Sequence, residues 1–244
     1  MQKIQIDFFS TILNMRTRVV LCMPEFAELQ GKLPVVYCLH GLTGNCDDWP
    51  NNTAIMGKLR EYPAIYVFPS AHNSFYCNMH YGQNFFEHIA FELPSYIESM
   101  YPIDTARRYI CGLSMGGYGA LKIALRNPER FAACGSFSGV LDIERTSRDP
   151  LFPSEMKACF GEQLQVPAEE NCFALAKNKA CAKLPVYIAC GTEDFLFLDN
   201  EHFVAQNPQL NIHYVKEPGD HDWFFWERHL FAFVQMYVGK NNGK

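Results

Sequence analysis

The 244-residue sequence contains no run of about 18 apolar residues, so no helix is expected to span a bilayer. It has no basic stripe. The 21 lysines and arginines stand against 26 acidic residues, a formal net charge of −5, which argues against nucleic acid as a partner. Its ten cysteines include no C-x-x-C pair, which removes zinc-ribbon and thioredoxin-like motifs from consideration. There is no internal repeat, no low-complexity stretch and no competing cluster of metal ligands. The first ten residues alternate in character and lack the apolar stretch of a secretory leader, so a cytoplasmic location is expected. In that compartment the cysteines should be reduced. Cys38, Cys111 and Cys190 close apolar runs, where a thiol serves as a small hydrophobe.

What is present is enough for a sizeable core. The chain is 48% hydrophobic and 19% charged, and its length fits one large α/β domain over residues 1–244. Apolar, β-rich runs occur at 17–22, 34–39, 64–68, 109–111, 131–137, 185–190 and 211–215. Most are continuous rather than alternating, the pattern of parallel strands covered on both faces. Helical spacing occupies 85–100 (interrupted by Pro94), 115–126 and 222–238. The alternation predicts a mostly parallel sheet with helices on both faces. Runs 4–8 and 17–22 have no helix between them and are expected to form an antiparallel hairpin at one edge. Residues 140–183 break the rhythm with clustered charges, including Arg145 and Asp149. They read as a cap-like insertion over the C-terminal edge of the sheet, where it would shape a pocket.

Gly112-Leu113-Ser114-Met115-Gly116 lies between a strand-like run and a helical one. That context gives a G-x-S-x-G match its weight, because a sharp strand–turn–helix elbow lifts the serine hydroxyl off the sheet. Glycine two positions either side relieves the crowding of so tight a turn. The Met115 amide then opens a helix, where it can donate to a developing oxyanion. His40-Gly41-Leu42-Thr43-Gly44 follows the run at 34–39 and resembles the loop that in α/β-hydrolases supplies a second such donor, which by position would be the Leu42 amide. His40 is read as ordering that loop.

A serine needs a neutral imidazole to take its proton and a carboxylate to orient the ring. In the α/β-hydrolase fold, which such an elbow resembles, the order along the chain is serine, then acid, then histidine. Asp194 follows the run at 185–190 within Gly191-Thr192-Glu193-Asp194 and is favoured over Glu193 and Asp199. His221 lies in the loop before the final helix, within Pro218-Gly219-Asp220-His221-Asp222-Trp223. His202, His213 and His229 fall inside predicted elements and read as packing or surface histidines. Asp222 is placed to cap the last helix. Trp49, Phe75, Leu196 and Trp223 sit near the proposed site in sequence and are expected to line an apolar substrate pocket.

Segments 40–49, 74–97, 112–120, 190–200 and 219–230 together resemble the esterase family of α/β-hydrolases that includes esterase D, S-formylglutathione hydrolase, feruloyl esterases and bacterial tributyrin or acetyl esterases. The likeness is strongest to the tributyrin-esterase branch. The resemblance implies the α/β-hydrolase fold and places nucleophile, acid and base at Ser114, Asp194 and His221. It places the oxyanion amides at Leu42 and Met115, and it implies no metal and no cofactor. It further implies a serine carboxylesterase acting on small-molecule esters, with short acyl groups from acetyl to butyryl as the expected substrates. Alternatives within the resemblance are a thioesterase of the S-formylglutathione type, a feruloyl or acetyl-sugar esterase, and an acyltransferase. A non-catalytic scaffold is the alternative from another class. No nucleic-acid or membrane partner is expected, and a homo-oligomer is compatible with the sequence.

Overall fold

The computed structural model describes residues 1–26 and 31–239. Among these residues eight strands form one sheet: β1 (Gln2–Ser10), β2 (Met15–Met23), β3 (Leu33–Leu39), β4 (Ile65–Pro69), β5 (Ile103–Leu113), β6 (Ala133–Phe137), β7 (Pro185–Gly191) and β8 (Asn211–Glu217). Their spatial order is β1-β2-β4-β3-β5-β6-β7-β8. β1 and β2 form the antiparallel hairpin expected at the edge, and β2 pairs antiparallel with β4. Every other pairing is parallel.

The continuous apolar runs correspond to burial on both faces. Val35, Tyr37 and Leu39 of β3 join one core cluster, while Val36 and Cys38 face the other. β3, β4 and β6 are buried along their whole lengths. The Met115–Arg126 helix covers the first face and the Trp223–Phe233 helix the second. Among the described residues no helix is long and apolar enough to cross a membrane.

Pro94 does not break its helix. A π-helical turn over His88–Glu92 precedes the α-helix Leu93–Met100, which holds Pro94 in its first turn. The wider turn accommodates the ring and the missing N–H at that point. The strand beginning expected at residue 131 starts instead at Ala133, because a short 3-10 turn, Pro128–Arg130, occupies the approach. Between β6 and β7 the chain forms short helices, including Ile143–Ser147 and Pro153–Phe160.

The topology brings together the loops that carry the expected site residues. From β3 the chain moves to β4 on one side, then back to β5 on the other. Loops leaving adjacent strands at such a reversal diverge and open a crevice at their C-terminal ends. The loops after β3 and β5 carry Leu42 and Ser114; those after β6, β7 and β8 carry Val140, Asp194 and His221.

Candidate active site

Ser114 joins β5 directly to the Met115–Arg126 helix, with φ +52° and ψ −119°. A non-glycine residue in this region is strained, and close packing around it holds the turn. A Cβ on Gly112 would fall 2.4 Å from the Gly116 carbonyl oxygen, and one on Gly116 would fall 2.5 Å from the carbonyl oxygens of Leu39 and His40. Nothing larger than hydrogen fits at either place. The Ser114 amide donates to Phe137 O at 2.9 Å, tying the elbow to β6.

The three loops converge on one hydrogen-bonded line. His221 Nε2 lies 3.0 Å from Ser114 Oγ, and His221 Nδ1 lies 2.8 Å from Asp194 Oδ2. The second carboxylate oxygen, Oδ1, accepts from the Leu196 amide at 2.8 Å. Burial alone would raise the Asp194 carboxyl, but the His221 contact and the Leu196 amide outweigh it and hold the group below its usual range. Phe195 and Trp226 flank the imidazole, with ring centroids 4.6 and 4.9 Å away. The neighbouring carboxylates have other partners. Glu193 accepts from the Gly219 amide at 2.6 Å, binding the acid loop to the histidine loop. Asp199 pairs with Arg145, and Asp222 caps the final helix through the Phe225 amide at 2.9 Å.

The amides of Leu42 and Met115 carry no hydrogen bond among the described residues. Met115 is the first residue of its helix, where backbone donors lack intrahelical partners and the dipole favours negative charge. His40 orders the adjoining loop. Its Nδ1 donates to Gly41 O at 2.7 Å and its Nε2 accepts from the Ala71 amide at 2.9 Å. Both ring nitrogens are occupied, and burial pushes its pKa down to about 4.

A narrow slot opens beside Ser114. Phe75 and Leu196 line it, as the sequence suggests, together with Leu42 and Met115. Trp49 and Trp223 do not. Trp49 is wholly buried, its indole N–H donating to Leu39 O at 3.1 Å and its ring edge-on to Phe137 and Trp223. The short helix Asp48–Asn52 turns that ring inward, and Trp223 packs between it and Trp226. In their place the slot takes Val140, Thr146 and Phe152 from the 140–183 segment. Sequence reasoning placed a pocket-shaping role on that segment without finding these residues. Its short helices follow no long period that would have singled them out.

A wider, open depression adjoins the slot, lined by residues that include Thr43, Asn73, Tyr81, Gln83 and Glu155. Three stretches of chain serve both spaces: Leu42 then Thr43, Asn73 then Phe75, and Phe152 then Ser154.

Residues 10–237 match the family described as "Putative esterase". The chain is 28% identical to an acetyl esterase of Caldicellulosiruptor saccharolyticus over 93% of its own length and 94% of the relative's. It is 25% identical to the S-formylglutathione hydrolase of Mus musculus, covering 88% and 86%. Among solved structures, the substrate-bound fluorophosphonate-binding serine hydrolase F of Staphylococcus aureus superposes with a TM-score of 0.89 at 25% identity, covering 98% of this chain and 99% of that one. With a family match along almost the whole chain and a serine at the elbow of an α/β sheet, the chain belongs to this esterase family and is a serine hydrolase of carboxylic esters.

Proposed function

We propose that the protein hydrolyses short acyl esters, acetyl to butyryl, through an acyl-enzyme on Ser114. One observation carries the reading: a continuous line from hydroxyl to imidazole to carboxylate, with steps of 3.0 and 2.8 Å. His221 takes the Ser114 proton as the oxygen attacks the ester carbonyl. Asp194 fixes the ring with Nδ1 protonated and stabilises the imidazolium that forms. The Leu42 and Met115 amides donate to the negatively charged carbonyl oxygen; donors fixed in advance cost no reorganisation when that charge appears. His221 then protonates the departing alcohol. Water repeats the sequence on the acyl-enzyme, giving its proton to His221, which passes it to the departing Ser114 Oγ as the acid is released. Every proton has a named carrier in the chain, so this scheme calls for no cofactor.

The short-acyl preference is supported by how closely Leu42, Phe75, Val140, Phe152 and Leu196 wall the slot beside Ser114. A series of nitrophenyl esters tests it. Turnover highest at acetate to butyrate is expected; a maximum beyond about eight carbons would contradict it.

A second reading, deacetylation of a sugar, has its own support. The open depression mixes apolar surface with the polar side chains of Thr43, Asn73, Gln83 and Glu155, carries an aromatic ring on Tyr81 and adjoins the slot through three chain stretches. It has room for an alcohol much larger than the acyl group. Comparing acetylated sugars with nitrophenyl acetate separates the two readings. A cytoplasmic location is also part of the proposal, supported by ten cysteines that are all free and buried. Fractionation of the source cells would test it.

A further inference from the structure

Lys122 lies two turns into the helix that follows Ser114, with none of its surface exposed. A buried ammonium is expensive, and an apolar residue of similar length would pack at lower cost. The lysine is therefore conspicuous, and its partners suggest what it does. Its Nζ donates to Phe75 O at 3.1 Å, to Tyr76 O at 2.8 Å and to the Glu170 carboxylate. Glu170 comes from the 140–183 segment and is held from a second side, where its backbone oxygen accepts from the Tyr118 hydroxyl at 2.7 Å.

The two carbonyls that Lys122 gathers belong to a strained pair. Phe75 and Tyr76 have φ of +48° and +54°, a region aromatic side chains seldom occupy. Each ring has a place in the site. Phe75 is a wall of the slot. The Tyr76 hydroxyl donates to His40 O at 2.9 Å, and His40 leads directly into Gly41 and Leu42. A relay thus runs from Glu170 through Lys122 to the Tyr76 backbone, then through the Tyr76 side chain to the loop that presents the Leu42 amide. None of these side chains touches Ser114 or His221 by a hydrogen bond.

We propose that Lys122, neutralised by Glu170, is a positioning residue that holds the Phe75–Tyr76 turn, so that Tyr76 fixes the oxyanion loop and Phe75 keeps the slot narrow. The inference rests on the reading of Leu42 as an oxyanion donor and of Ser114 as the nucleophile. Small misplacements of such donors cost rate rather than ground-state binding.

Two variants test the relay. Lys122→Met combined with Glu170→Gln removes both charges and leaves neither buried alone. Tyr76→Phe removes only the hydroxyl that reaches His40. Both should lower kcat on nitrophenyl acetate about tenfold or more, with KM near the wild-type value and the midpoint of the pH–rate profile unmoved. Binding of a boronic-acid transition-state mimic should weaken by the same factor as kcat. The hexanoate-to-acetate ratio should rise in the double variant alone, because only there is Phe75 released. A folded double variant, checked by circular dichroism, that keeps kcat within about twofold of wild type overturns the proposal. So does a loss that merely tracks the unfolded fraction. Should the double variant fail to fold, Tyr76→Phe decides by itself, and unchanged kcat there overturns the relay. A wild-type protein inert on every nitrophenyl ester would instead sink the esterase reading.

Discussion

Asp194 uses its two carboxylate oxygens on different partners: Oδ1 accepts from the Leu196 amide and Oδ2 faces the His221 ring, each at 2.8 Å. This division makes Asp194→Asn informative. The Leu196 N–H requires an acceptor, so the asparagine oxygen must stay on that side and its NH2 must face His221. The ring then presents the lone pair of Nδ1 to that NH2 and carries its proton on Nε2, where it cannot accept from Ser114. Turnover of nitrophenyl acetate should fall about 10⁴-fold with the fold retained, following the behaviour of an Asp-to-Asn change in a serine-protease triad. A loss of less than about tenfold would mean that Asp194 does not set the tautomer.

Ser114→Ala should abolish covalent labelling by a fluorophosphonate and lower kcat by about 10⁶-fold. The hydroxyl projects from a turn held by backbone contacts at Gly112 and Gly116, so the smaller side chain leaves that packing intact. Labelling by mass spectrometry checks the site directly. Adduct on another residue would displace Ser114 as nucleophile.

Phe152 provides a test of the slot. Its ring stands 6.4 Å from that of Phe75 across the cavity wall, and both residues line it. Phe152→Ala removes most of one wall at a half-buried position, so the chain-length optimum should move from acetate or butyrate toward hexanoate or longer. Activity on acetate should change much less, since acetyl does not need that wall. An unchanged optimum would show that the acyl group lies elsewhere.

The contrast between Phe152 and Ser114 shows what the sequence made legible. The elbow is written locally: five residues, a strand before them and a helix after them specify the turn and the serine. Asp194 and His221 were readable because each follows an apolar strand that ends at the same sheet edge. The hairpin of β1 and β2 followed from the absence of a helix between two runs. Pocket walls carry no such local code. Trp49 sits only nine residues from His40, yet its short helix turns the ring into the core. Phe152 is 38 residues from Ser114 in the chain, beyond an irregular stretch, and reaches the slot only through tertiary packing. The Lys122–Glu170 pair was equally hidden. A lysine in a helix of small and apolar residues ordinarily points to solvent, and only the packed segment reveals that this one does not.

Stability should fall as the solution is acidified, in two separable windows. Burial pushes His40 and His229 down to about 4, while the same rings in the unfolded chain titrate near 6.5. Between those values the unfolded state binds more protons, so stability drops as pH falls from about 6.5 to about 4. His88, also buried, is pushed down and acts in the same direction. Glu92 sets the lower window. Burial would raise its carboxyl, but hydrogen bonds from Ser10, His88, Thr11 and Ile12 outweigh this and bring it to about 2. Its contribution is complete above the unfolded value near 4.3 and is lost as pH falls toward 2. The urea midpoint measured from pH 7 to pH 3 should therefore decline through both ranges. His229→Gln should flatten the decline above pH 4, and Glu92→Gln should flatten that below about 4.5 while leaving the upper range at least as steep, because it removes the carboxylate that raises His88. The two variants must differ in where they flatten the curve. If Glu92→Gln flattens the slope near pH 6, or His229→Gln leaves it untouched there, these groups do not carry the pH dependence.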